Sequence, residues 1–369
     1  MPTAEARSFG RKVVFALDPL TAPHPPAAPR FTRRAGLVEV LGLFSTSALS
    51  GVGLLLAVAS CGPAATDPNT DSNRQLSSRS DAVPLRVLPA SATAVDFATA
   101  LLPAERLAGL PVQALEYSVL HDSAAQFAAR PRFDVYLAEP VLALAPDLVI
   151  ADPYQAPETT ERLRHAGVRV VTLPAIASWS DARSTLLDLG AQLGVSERAA
   201  KLCAEFDARV ERLAERAQAA PRRRGVVYSN FGGVGSTAGA HTTIDDVLRL
   251  AGLENCIATQ GREGHIDLGF EGLIALDPDV IVVSAPLRLP PSAQGDLGGA
   301  SERVLLQASQ LASLRAVRER RIVALPAWLF ATGSHEIVSA AEALREALDE
   351  LERRAPPESP AESPAKSTR

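Results

Sequence analysis

Residues 139–151 read EPVLALAPDLVIA, and residues 271–283 read EGLIALDPDVIVV. Each copy opens on a glutamate, runs through a short amphipathic turn of helix, breaks at Pro-Asp and continues as an aliphatic run. A proline cannot continue a helix, and the apolar residues behind it suit a buried strand. The copies stand about 132 residues apart, and each has an aspartate just upstream, Asp134 and Asp267. One unit recurring at that distance predicts two similar lobes rather than one long sheet with a chance echo.

Outward from the repeat, residues 85–88, 147–151, 169–173, 225–229, 280–284 and 321–324 read as strands. All are short and apolar on both faces, as strands covered by helices must be. Helical patterns alternate with them, so the fold class is α/β. Between the two halves, Ser180 or Asp181 is expected to cap a helix holding Leu186, Leu187, Leu189 and Leu193. After Gly194, Ser196 is expected to cap a second helix whose Leu202, Phe206, Val210 and Leu213 share one face. About 20 residues of it would span roughly 30 Å, a stiff bridge that limits opening and closing. The folded part thus divides into a first lobe (84–175), an interlobe helix (176–221) and a second lobe (222–353).

The flanks differ in character. Arg33 and Arg34 precede the apolar, small-residue stretch LVEVLGLFSTSALSGVGLLLAVAS at 37–60, in the order of an export signal. Val58-Ala59-Ser60-Cys61 resembles the lipobox of bacterial lipoproteins, whose cysteine carries the lipid. Glu39 and the hydroxyl residues Ser45, Thr46 and Ser47 make the stretch a poor membrane span. Residues 1–60 are therefore read as extension and signal, 61–83 as a lipidated tether and 354–369 as a disordered tail. The Pro-rich start is long for a signal, and Thr32-Arg33-Arg34 is a weak twin-arginine echo.

Composition removes whole classes of function. The 369 residues are 47% hydrophobic and 21% charged with a net charge of −5, and lysine occurs only at Lys12, Lys201 and Lys366. Nothing there tracks a nucleic acid backbone. Gly233 to Ala238 fits a GxGxxA pattern, but it stands apart from the preceding strand, so a glycine-rich loop is the better reading. No phosphate-binding lysine motif and no GxSxG occurs. The chain is read as no enzyme and without a cofactor. Cys203 and Cys256 read as buried free thiols.

Further pieces share an order. They are Ala92-Thr93 with 101–109, Pro146-Asp147-Leu148-Val149-Ile150 with Gly167-Val168-Arg169-Val170, and Thr243-Ile244-Asp245-Asp246 with Ala251-Gly252-Leu253-Glu254-Asn255. Leu276-Asp277-Pro278-Asp279 and the stretch from Leu311 to Arg318 complete it. Together these resemble the iron-siderophore and cobalamin class of ABC-transporter solute-binding proteins. The resemblance implies two α/β lobes joined by a backbone helix, the class III periplasmic-binding-protein arrangement, with the ligand in the cleft. It further implies an exported, lipid-anchored monomer at the cell envelope, partnered by an ABC permease and its ATPase. One glutamate per lobe docks on the permease in that family, and Glu139 and Glu271 match those positions.

Ligands of such sheets lie beyond the carboxyl ends of the strands. The loops there offer Ser91, Thr93, Tyr117, Tyr154 and Trp179 from the first lobe. From the second come Asn230, Phe231, His265, Trp328 and Phe330. Aromatic walls in a chain only 5% aromatic suit a rigid chelate or macrocycle: a siderophore, haem or a corrinoid. A bare transition metal held by His121, His241, His265 and His335 is the alternative, although those imidazoles lack motif spacing.

Overall fold

The computed structural model describes residues 83–354 apart from 113, 155–156, 231–233 and 287–298. The signal, Cys61, the tether up to residue 82, the tail from residue 355 and Phe231 lie outside the described residues, while Arg354, expected in the tail, ends the last helix.

In the first lobe, β1 (Val87–Pro89) leads to α1 (Ala92–Leu101), β2 (Leu110–Pro111), α2 (Ala114–Tyr117) and α3 (Leu120–Ser123). Then come β3 (Arg132–Phe133), α4 (Ala138–Ala143), β4 (Leu148–Ala151), α5 (Pro157–His165) and β5 (Arg169–Thr172). Two helices follow, α6 (Trp179–Gln192) and α7 (Ser196–Ala219). The second lobe opens with β6 (Arg223–Val227), β7 (Ser236–Ala238), α8 (Thr243–Leu250), β8 (Leu253–Asn255) and β9 (His265–Asp267). It continues through α9 (Phe270–Leu276), β10 (Val280–Ser284), α10 (Gly299–Gln307) and α11 (Arg315–Arg318). The last elements are β11 (Ile322–Leu325), α12 (Ala327–Phe330) and α13 (Ile337–Arg354).

One sheet runs β1-β4-β5 and the other β11-β10-β6-β8, every pairing parallel. The short parallel pair β2-β3 joins β1 through the Ala108 N–H, which donates to the Val87 carbonyl at 2.8 Å. The β7-β9 pair is antiparallel. Each lobe thus has strands on both sides of its first one, which places a crevice at the carboxyl ends of β1 and β6.

The repeat has a common physical basis in both lobes. Ala145 and Asp277 take left-handed backbone (φ 44° and 40°) just before their prolines, ending α4 and α9. The next aspartate then clamps the lobe's first strand. Asp147 accepts from the Leu85 and Arg86 amides at 3.0 and 2.9 Å, and Asp279 accepts from the Arg224 amide at 2.8 Å. In return the Asp147 and Asp279 amides each donate at 2.9 Å to the Arg86 and Arg224 carbonyls. Arg86 and Arg224 also cover the free carbonyls at the helix ends, Leu144 and Ala145 in one lobe and Leu276 in the other. The Pro-Asp pair is therefore a helix stop joined to a strand clamp.

The bridge is two packed helices. The cap of α6 is Ser178, whose hydroxyl accepts from the Asp181 amide, while the Asp181 carboxylate accepts from the Ala177 amide one residue before the cap, a close variant of the capping box. The expected caps at Ser180 and Asp181 are thus corrected: both sit inside the first turn. Ser196 likewise begins α7 as its first residue, with Val195 ahead of it and no side-chain cap. Gly194 takes φ +69° in the turn between the helices. The 24 residues of α7 give roughly 36 Å of helix, with Ala199, Cys203, Phe206 and Leu213 buried.

Gly190 lies where α6 meets α7, and a Cβ there would strike the Ala199 methyl. Helix propensity favours alanine over glycine by about 1 kcal/mol, while overpacking costs about 1–3 kcal/mol. The clash wins, so Gly190→Ala should lower stability by roughly 1 kcal/mol or more in urea melts. Unchanged or raised stability would show that the helices separate freely.

Candidate functional site

The carboxyl end of β6 faces an open cavity of about 320 Å³. Val227 and Ser229 follow from β6, Ser236, Thr237 and Ala238 from β7, and Thr243 and Ile244 from the start of α8. His265 on β9 and Phe330 with Ala331 at the end of α12 complete the lining. The α12 helix packs against α2 of the first lobe. Gly333, just beyond it, lies so close to α1 that a Cβ there would sit 2.9 Å from the Thr93 hydroxyl. The cavity therefore opens beside the place where the lobes meet.

Its walls are hydroxyl-bearing and apolar. Thr237 is 3% exposed, yet its Oγ1 has no hydrogen-bond partner among the described residues. A buried hydroxyl left unpaired costs about 1–3 kcal/mol, so this one stands out. Thr242 caps α8 by accepting from the Asp245 amide, and Asp245 and Asp246 occupy the helix's first turn. Asp246 is spoken for: it accepts from the Trp179 amide at 2.8 Å and pairs with Arg249. Asp245 accepts from Asn255 Nδ2 at 2.8 Å, and burial raises its pKa.

Of the expected ligand contacts, His265 and Phe330 line this cavity. Trp328 is half-buried on the same short helix as Phe330, and Tyr117 ends the α2 helix that α12 packs on. Ser91 caps α1, accepting from the Ala94 amide at 3.0 Å, and Thr93 in the first turn lies against Gly333. Asn230 is buried, its amide held by Ser301 Oγ and its Nδ2 donating to the Tyr228 hydroxyl.

Trp179 is a correction. It is 7% exposed, stacks on Phe206 at 5.5 Å between ring centroids and donates its indole N–H to Asp207 at 2.9 Å. Placed one residue past the Ser178 cap, its ring points into the α6–α7 packing rather than onto a ligand. Tyr154 is 86% exposed in a turn built on Asp152 and lines no part of the cavity.

The four histidines are not brought together. His335 is buried between Phe97 and Phe206, at 5.4 and 5.1 Å between ring centroids, with Nδ1 unpartnered among the described residues. His241 stands 3.5 Å from Glu263 on the surface, and His121 is exposed on α3. Among the described residues no group of three or more His, Cys, Asp or Glu side chains converges on one point, so the bare-metal alternative gains no support. Gly235 and Ser236 feed strand β7 and not a helix, which removes the dinucleotide-fingerprint geometry. Cys203 and Cys256 are free and buried.

Sequence reasoning missed Ser229, Ser236, Thr237 and Thr243. Their only signal is the density of small hydroxyl residues in STAGAHTT at 236–243, which reads equally well as a turn.

Glu139 and Glu271 occupy the first turns of α4 and α9, matched positions in the two lobes. Both are exposed, and neither carboxylate is engaged by a hydrogen bond or ion pair among the described residues.

Comparison with known proteins places the chain. A sequence model for periplasmic binding proteins matches residues 111–329. A cobalamin-binding protein of Halobacterium salinarum is 32% identical over 145 residues, 39% of this chain and 39% of that protein, so the match spans about two fifths of the relative. The structure of a periplasmic heme binding protein from Pseudomonas aeruginosa is 28% identical, covering 72% of this chain and 92% of that one with a TM-score of 0.60. An ABC-type Fe3+-hydroxamate transport structure from Saccharomonospora viridis, 22% identical, covers 73% and 94% with a TM-score of 0.59 and shares the fold.

Proposed function

This chain belongs to the periplasmic binding protein family, and from that premise we propose that it captures a metal chelate between its lobes for an ABC importer. The chelate is a corrinoid, haem or ferric siderophore, and the recipients are the importer's permease and ATPase. The observation that carries this reading is the cavity at the carboxyl ends of the second-lobe strands, placed where α12 meets the first lobe. Cobalamin-binding and heme-binding relatives point to the same ligand class.

Capture is reversible and needs no covalent chemistry. Phe330 and the half-buried Trp328 offer aromatic surface to a flat macrocycle. The hydroxyl wall supplies directional contacts. The α6–α7 bridge limits how far the lobes swing, so the site is largely formed before the ligand arrives. Cys61, acylated after cleavage behind Ser60, holds the protein to the membrane, and 62–83 lets it reach a neighbouring permease. Glu139 and Glu271 then present one carboxylate per lobe as a two-point docking key.

The test is a fluorescence titration of residues 62–369 with cobalamin, cobinamide, a ferric hydroxamate and haem, corrected for their absorbance. Saturable quenching at micromolar or tighter affinity is expected with at least one of them. The two tryptophans divide the signal: Trp328→Phe should remove most of the quench, whereas Trp179→Phe should leave it. Absence of quenching by all four, with the fold intact, would overturn the chelate reading.

A further inference from the structure

Resting on the chelate-capture reading, we propose that Ser229, Ser236, Thr237 and Thr243 form a subsite for an uncharged, amide-bearing edge of the chelate. The ligand class this favours is the amide-fringed corrinoid rather than a carboxylate-edged macrocycle such as haem.

Three observations converge on it. First, all four hydroxyl residues line one cavity, and they reach it from three different elements. Second, Thr237 lines the cavity, and its buried hydroxyl has no hydrogen-bond partner among the described residues, so a polar ligand group brought to that wall would satisfy it after a small shift. Ser236 Oγ reaches no better acceptor than the Ser229 carbonyl at 3.5 Å. Third, the charge around the cavity is wrong for an anion. Its described lining holds no arginine or lysine, and His265 is its one ionisable side chain. The nearby start of α8, which would otherwise attract a carboxylate, already carries Asp245 and Asp246 in its first turn.

A hydroxyl both donates and accepts, and so does a primary amide. A row of hydroxyls therefore matches an amide edge in both senses. A carboxylate only accepts, and here it would lose its hydration without gaining a counter-charge. Val227, Ala238, Ile244, Phe330 and Ala331 supply the apolar surround for the ring methylenes beside such amides.

The test compares two ligands that share a macrocycle and differ at its edge. The full chain is titrated at pH 7.5 with cobinamide, whose periphery bears amides, and with cobyrinic acid, whose periphery bears carboxylates; haem is the third probe. Cobinamide is expected to bind at least tenfold more tightly than either. Thr237→Val, equal in shape without the hydroxyl, should weaken cobinamide about fivefold and leave cobyrinic acid within twofold, while Thr237→Ser restores cobinamide binding. Equal or tighter binding of cobyrinic acid or haem would overturn the subsite and leave chelate capture standing. Thr237→Val with unchanged cobinamide affinity and a raised Tm would also overturn it, marking the hydroxyl as a packing defect. No binding of any of the three to the wild-type chain would remove both the subsite and the capture reading beneath it.

Discussion

Asp96→Asn should make the protein increasingly more stable than the wild type as pH rises from about 4 to about 8. Asp96 lies on α1, 2% exposed, and accepts from the Val119 amide at 2.8 Å and the Ser334 hydroxyl at 2.7 Å. Burial pushes its pKa up to about 8; the Val119 and Ser334 hydrogen bonds pull the other way, and Glu336 adds to the rise. A carboxyl whose folded pKa is raised binds its proton in the native state while the unfolded chain has lost it. Its contribution is complete below the unfolded value near 3.8 and disappears as pH climbs towards about 8. Each pH unit in that window removes about 1.4 kcal/mol for a fully transferred proton.

Asparagine keeps the geometry and drops the titration. Its carbonyl accepts from Val119, and its NH₂ donates to Ser334, which has Thr332 Oγ1 at 3.1 Å as a further partner. The other groups facing this pocket remain in both proteins. His335 is held below its usual pKa by burial, with Glu336 opposing and Arg209 assisting, so it destabilises the fold as pH falls. That slope cancels in the difference between the two proteins. Urea melts at pH 5, 6, 7 and 8 measure the difference directly. Parallel stability curves would show that Asp96 does not hold its proton.

Uptake should collapse to background when Glu139 and Glu271 are both changed to alanine, while ligand affinity stays within twofold. Truncating one partner of a desolvated charge pair in an interface costs about 2–5 kcal/mol, so two such losses weaken docking about a thousandfold or more. Among the described residues neither side chain makes a hydrogen bond or ion pair that its removal would break. Each single variant is expected to fall between wild type and double variant, because either lobe can still engage. Transport assays in cells, paired with ligand titration of the purified variants, separate docking from capture. Lost ligand affinity in the double variant would remove the docking role, and so would normal uptake.

The repeat was the most legible part of the sequence because its signals are local: a proline stop, an aspartate and an aliphatic run. The strands β1, β4, β5, β6, β10 and β11 followed within two residues of their expected ends for the same reason. Strands β2 and β3, two residues each, carry no pattern to read. The β7-β9 pair was hidden in glycine-rich sequence, where strands of three residues each are too short to carry a readable pattern. At the site, aromatic residues drew attention over hydroxyls. A tryptophan beside a loop reads the same whether it faces a ligand, as expected of Trp328, or anchors a helix, as Trp179 does. The partners that decide its role, Asp207 and Asp246, lie 28 and 67 positions away. Burial of Asp96 and His335 was equally unreadable, since both depend on packing between distant ends of the chain.

The tie between Asp96 and Ser334 joins residues 238 positions apart. Contacts this distant slow folding, because the intervening chain must first be drawn into a closed loop. Phe97 and its neighbours wait for His335, and α13 must still lay itself along α7 and α8. A polypeptide emerging amino end first therefore cannot seal its earliest core until nearly its final residue is free. Were the chain threaded unfolded through a membrane pore, that delay would keep it loose for as long as it is in transit. Ending the chain before Ser334 would accordingly leave the opposite end of the molecule unfinished.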